Sequence, residues 1–140
     1  MDKIISKKYL DELTYNVIGA AIDVHKELGP GLLESVYQRC LFEEFKLRNI
    51  LFKSQLIVAI KYKHLELEAE LRCDFFVDDC LVIELKAVDS MIPIYDAQVL
   101  TYMKLLKVPK GILINFNVTN VFKEGQKTFV NELFRTLPEQ

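Results

Sequence analysis

Asp74-Phe75-Phe76-Val77-Asp78-Asp79-Cys80-Leu81-Val82-Ile83-Glu84-Leu85-Lys86 carries three polar side chains, and the rest of the chain reads as scaffolding that holds them together. Asp74 closes one strand-like run, and Glu84 and Lys86 stand two apart in the next. A strand sends alternate side chains to opposite faces, so Glu84 and Lys86 point one way while Leu81, Ile83, Leu85 and Ala87 point the other. The apolar set can then be buried. Asp78-Asp79 is turn chemistry, which predicts a hairpin that folds Asp74 back beside Glu84. Two carboxylates and an ammonium would share a small space. Such a set suits a divalent-cation site for phosphodiester hydrolysis: magnesium prefers carboxylate oxygen and keeps waters for a substrate to displace. Protonated lysine cannot ligate, but it can orient or deprotonate the attacking water or offset charge on a phosphate. A solvated strand face with ordinary ion pairs would show the same three residues.

The chain has 140 residues, 51% of them hydrophobic, which is enough for one domain with a real core, expected to span 1–140. Its charged fraction of 27% and net charge of −2 create no global basic field, so any attraction for nucleic acid must be local. Cys40, Cys73 and Cys80 lack the spacing of a disulfide framework or zinc site, and a reducing, cytoplasmic setting fits them best. His25 and His64 lack paired-ligand spacing and read as surface or packing residues. No signal-like start and no apolar run of membrane-spanning length is present, so no membrane association is expected.

Leu10, Leu13, Val17, Ala21, Val24 and Leu28 recur at steps of three and four, which predicts an amphipathic helix ended by Gly29-Pro30-Gly31. A second helix is predicted from about Leu33 to Arg48, with Asn49 as its stop. It places Glu34 and Tyr37 on neighbouring positions of one face near its start. Strands are expected from Leu51 to Ile60 and from Leu65 to Phe75, joined by a turn at Tyr62-Lys63-His64, with Asp74 on the polar face with Glu70 and Arg72. A third helix is expected from about Tyr95 to Leu106, after Pro93. There Gln98 and Tyr102 share a face and could aim an amide and a phenol at the carboxylates, or simply finish the helix surface. Lys104, Lys107 and Lys110 gather near its end, as cations suited to the helix dipole or as a phosphate-contacting patch. Gly111 to Phe116 reads as a buried strand that completes a parallel crossover. The tail from Thr128 to Leu137 fits a strand or a helix equally.

Taken in order, Glu34, Asp74, Glu84-x-Lys86 and Gln98-x-x-x-Tyr102 resemble the PD-(D/E)XK nuclease superfamily, and the Gln-Tyr helix is similar to that of its RecB-like and Cas4-like branches. Gly31-Leu32-Leu33-Glu34-Ser35-Val36-Tyr37 looks like the signature of the small bacterial GxxExxY family, with Ile83 to Val88 and Leu113 to Phe116 similar to its later blocks. Cys73 stands where the superfamily name places proline. The resemblance implies an α/β, restriction-endonuclease-like core: a mixed central β-sheet flanked by α-helices. It also implies a nuclease, a hydrolase of DNA phosphodiester bonds using Mg2+ or Mn2+. By position Asp74 and Glu84 would bind the metal, Lys86 would assist the water, and Glu34 would be a further acidic ligand or hold a water. Gln98 and Tyr102 would support the site or contact the substrate backbone. Two alternatives lack the chemistry: a non-catalytic module that keeps the fold and binds nucleic acid or protein, and a homodimeric interaction protein in which the polar cluster is only structural.

Overall fold

The computed structural model describes residues 4–67 and 71–140. Two helices open the chain, α1 (Lys7–Leu28) and α2 (Glu34–Leu47). The Ser6 hydroxyl accepts the Tyr9 N–H and so caps the start of α1. Asn49, at φ 57°, ends α2 in the left-handed conformation, and the Ile50 N–H reaches back to the Phe45 carbonyl at 3.0 Å. There follow β1 (Phe52–Ile57), β2 (Ile60–Tyr62), β3 (Leu65–Leu67), β4 (Arg72–Val77), β5 (Leu81–Lys86) and α3 (Pro93–Leu106). The chain closes with β6 (Lys110–Asn115), α4 (Val121–Glu124), β7 (Gln126–Val130) and α5 (Glu132–Arg135), so the tail holds both a strand and a helical turn.

The main sheet has the order β1-β4-β5-β6-β7, with β5 and β6 parallel and the other pairs antiparallel. Helix α3 makes the connection between the two parallel strands, as a parallel pair requires. The α1 and α2 residues Val17, Val24, Tyr37, Leu41 and Phe45 bury one face of the sheet against Phe75, Leu81, Ile83, Leu85 and Ile114. Val99, Tyr102 and Met103 of α3 bury the other against Val82 and Leu113. This mixed sheet flanked by helices is the expected α/β architecture, consistent with a restriction-endonuclease-like core. Gly111 lets α3 approach β6, since a Cβ there would lie 2.6 Å from Val99 Cγ1 and 2.9 Å from Met103 Sδ.

The expected strands over 51–60 and 65–75 are each interrupted. Tyr62 pairs with Leu65 around a turn in which Lys63 has φ 54°, so β2 and β3 form a separate, largely exposed hairpin. The regular alternation over Leu65–Leu67 is therefore satisfied outside the main sheet. Part of that predicted strand, 68–70, lies outside the described residues.

The faces of β4 do not follow simple parity either. Phe75 packs with the α1/α2 layer and Phe76 with the α3 layer, yet Cys73 also joins the α3 layer. Strand β4 thus reverses its faces at Asp74, which lies within the strand rather than at its end. Strand β1 does the same nearby: Phe52 packs with the first layer and Leu56 with the second, and Gln55 between them has φ 51°.

Candidate active site

Asp78 and Asp79, at φ 50° and 55°, form the predicted turn, closed by the Cys80 N–H on the Val77 carbonyl at 3.0 Å. From it the β4–β5 ladder runs Val77↔Leu81, Phe76↔Val82 and Phe75↔Ile83, and stops. Side chains take over at the next position. The Asp74 N–H donates to Glu84 Oε1 at 3.0 Å, and the Leu85 N–H donates to Asp74 Oδ2 at 2.8 Å. Gln55 Nε2 donates to Asp74 Oδ1 at 3.1 Å, and Gln38 Nε2 to the Asp74 carbonyl at 3.3 Å.

Glu84 is only 5% exposed. Burial, reinforced by the negative charge of Asp74, pushes its carboxyl up to about 9, against the opposing pull of the Asp74 N–H and the Lys86 charge. Two carboxyl groups in a poorly solvated space cannot both ionise cheaply. A bound cation would take the place of the proton that Glu84 holds.

Lys86 follows Glu84 on the α3 face of β5, with its Nζ 4.6 Å from the centre of the Tyr95 ring. Glu34, the first residue of α2, has its carboxyl raised by partial burial and then by Asp74, while Lys86 lowers it. The three segments therefore converge electrostatically. Among the described residues, no three His, Cys, Asp or Glu side chains stand close enough to hold one ion as they lie. Asp74 and Glu84 form the interlocked pair, and Glu34 stands outside it.

A family model for these nucleases matches residues 11–129. The chain belongs to the PD-(D/E)XK nuclease superfamily. Nucleases of this superfamily generally use divalent metals and act on nucleic acid. No curated protein and no solved structure gives a match. All six positions that carried the resemblance lie inside the matched span.

For this PD-(D/E)XK chain, the Gly31, Glu34 and Tyr37 spacing has a physical basis. Gly31 adopts φ 95°, which a side chain would resist, and its N–H donates to Asn117 Oδ1 at 3.1 Å. The buried Tyr37 stacks on Phe116 with ring centres 4.5 Å apart, donates its hydroxyl to the Gly29 carbonyl at 2.5 Å and accepts the Leu32 N–H at 3.2 Å. Tyr37 thus fixes the loop that delivers Glu34. The buried Asn115 accepts the Val88 N–H at 3.1 Å and returns a hydrogen bond to the Val88 carbonyl at 3.0 Å. Asn117 Nδ2 then reaches Asp89 Oδ1 at 2.9 Å, tying the exits of β5 and β6 to the loop before α2.

The Gln98 and Tyr102 pair divides. Tyr102 is 7% exposed and donates its hydroxyl to the Arg72 carbonyl at 3.0 Å. Burial and then the Glu84 charge push the phenol up to about 12, so it remains a donor and braces α3 against β4. Gln98 is exposed and has no hydrogen-bond partner among the described residues. The lysine cluster divides as well: Lys110 opens β6, is buried, and pairs with Asp11 at 3.1 Å, while Lys104 and Lys107 are exposed. His25 Nε2 lies 2.8 Å from the Val118 carbonyl as a packing residue, and Cys40, Cys73 and Cys80 form no disulfide with one another. No helix among the described residues is long and apolar enough to cross a membrane.

Gln38, Gln55 and Tyr95 were not singled out by sequence. Gln38 follows Tyr37 on the helix already assigned, and that adjacency was the available signal for it. The positive φ of Gln55 and the ring of Tyr95 over Lys86 leave no pattern in the sequence.

Proposed function

We propose that this chain is a metal-dependent nuclease that hydrolyses DNA phosphodiester bonds with Mg2+, or Mn2+ in its place. The observation that carries the proposal is the crossed bonding where β4 and β5 part, the Asp74 N–H to the Glu84 carboxyl and the Leu85 N–H to the Asp74 carboxyl, with Lys86 two residues on from Glu84. The donor set fits a hard divalent ion: oxygen ligands only, and two carboxylates that would leave sites for water and substrate. Asp74 and Glu84 would hold the ion, and Glu34 would complete the acidic set by turning inward or by holding a water. When bound, such an ion acidifies a coordinated water and offsets charge on the phosphate.

Lys86 supplies the remaining chemistry. Its ammonium orients the attacking water or donates to a phosphate oxygen as charge builds there, and Tyr95 limits its swing. Tyr102 supports the site from behind through Arg72, and Gln98, exposed one turn earlier on α3, is placed to meet the substrate backbone. The likeness to the GxxExxY family, and to the RecB-like and Cas4-like branches, belongs to the same proposal.

The test is cleavage of single- and double-stranded DNA by purified protein with Mg2+ or Mn2+, beside Asp74→Ala and Lys86→Ala. Metal-dependent cleavage by the wild type and its loss in both variants supports the proposal. Equal activity in all three would trace the cleavage to a contaminant.

A further inference from the structure

Strand β1 contains a backbone conformation that its pairing does not need. Its partners on β4 keep one offset throughout: Phe52↔Val77, Lys53↔Phe76, Ser54↔Phe75, then Leu56↔Cys73 and Ile57↔Arg72. No residue is inserted. Yet Gln55, between the two runs, adopts φ 51°, a conformation that residues with a side chain avoid. The ladder omits the one pair this interrupts, Gln55 with Asp74. Such a departure persists only where the surroundings hold it, through the packing of Leu56 that it re-aims and through the bond made by the redirected side chain. Here that side chain donates to Asp74 Oδ1.

We propose that Gln55 is a positioning residue that fixes the Asp74 carboxylate for cation binding. The proposal rests on the nuclease reading above and adds to it a residue outside the acid and lysine set. Asp74 is gripped from both neighbouring strands, with Oδ1 held by Gln55 of β1 and Oδ2 by the Leu85 N–H of β5. Two donors on the two oxygens set the rotation of the carboxylate and leave each oxygen a free lone pair for an ion. Gln38 secures the backbone of the same residue through its carbonyl.

The choice of an amide matters. A lysine or arginine at this position would also donate, but its charge would compete with the cation for Asp74. Glutamine holds the carboxylate and leaves its charge uncancelled.

Gln55→Met removes the donor at nearly constant length. Gln55→Gly removes it while relieving the positive φ. Manganese affinity is measured from the electron paramagnetic resonance of the free ion, beside thermal unfolding of each metal-free protein. Both variants are expected to bind Mn2+ about 10 to 100 times more weakly than the wild type. The glycine variant should unfold at the same temperature as the wild type or higher, so that its lost affinity cannot be attributed to a damaged fold. Manganese affinity within twofold of the wild type in Gln55→Met overturns the positioning role while leaving the metal site standing. A wild type that binds no Mn2+ overturns the nuclease reading and this inference together.

Discussion

Replacing Glu84 by glutamine should stabilise the metal-free protein at alkaline pH while removing its capacity for metal. In the fold the Glu84 carboxyl is raised from 4.5 to about 9, chiefly by burial and then by Asp74. Between those values the folded chain holds a proton that the unfolded chain has released. This contribution to stability is therefore complete below about pH 4.5 and is lost as pH rises through about 9. At about 1.4 kcal/mol per unit the displacement corresponds to about 6 kcal/mol. Water entry and relaxation around the group as it ionises reduce the expected loss to about 3 kcal/mol. Glutamine keeps an oxygen for the Asp74 N–H, but it cannot ionise. Urea unfolding in EDTA at pH 5, 7 and 9 should show the wild type losing about 3 kcal/mol across the series, with Glu84→Gln nearly flat over the part due to this group. Adding Mg2+ at pH 8 should restore the wild type and leave the variant unchanged. Parallel pH profiles for the two proteins would refute the burial of an uncompensated acid at this position.

Lys86→Met keeps much of the side chain's length but removes the ammonium that lies over the Tyr95 ring. Cleavage should slow about 100-fold or more while Mn2+ affinity, measured separately, changes little. Tyr102→Phe leaves the Arg72 carbonyl without its donor and should cost about 1 kcal/mol in urea unfolding. Gly111→Ala drives a methyl group against Val99 and Met103, so α3 must shift from β6. It should lose about 1 to 3 kcal/mol by the same measurement.

The elements that sequence exposed most clearly are those with a strong period. Leu10 to Leu28 and the apolar alternation of β5 each have one arrangement that buries them, and both lie where expected. The pairing of Asp74 with Glu84 was also legible, because the Asp78-Asp79 turn fixes the hairpin that makes them neighbours. What escaped is set by breaks in regularity. The reversal of faces at Asp74 and Gln55 depends on φ 51° at a glutamine, which no residue pattern announces. The hairpin of β2 and β3 hides inside a stretch whose alternation suits a longer strand. Gln98 and Tyr102 share a spacing, but how far each is buried depends on how α3 settles against Gly111 and β5, a matter of tertiary packing.

Crystals of the protein soaked in Mn2+ and measured at a wavelength where manganese scatters anomalously test the account most directly. It predicts one strong peak about 2.2 Å from an oxygen of Asp74 and an oxygen of Glu84, absent from Glu84→Gln crystals. Manganese bound elsewhere, with no peak beside the carboxyl groups of Asp74 and Glu84, would contradict it.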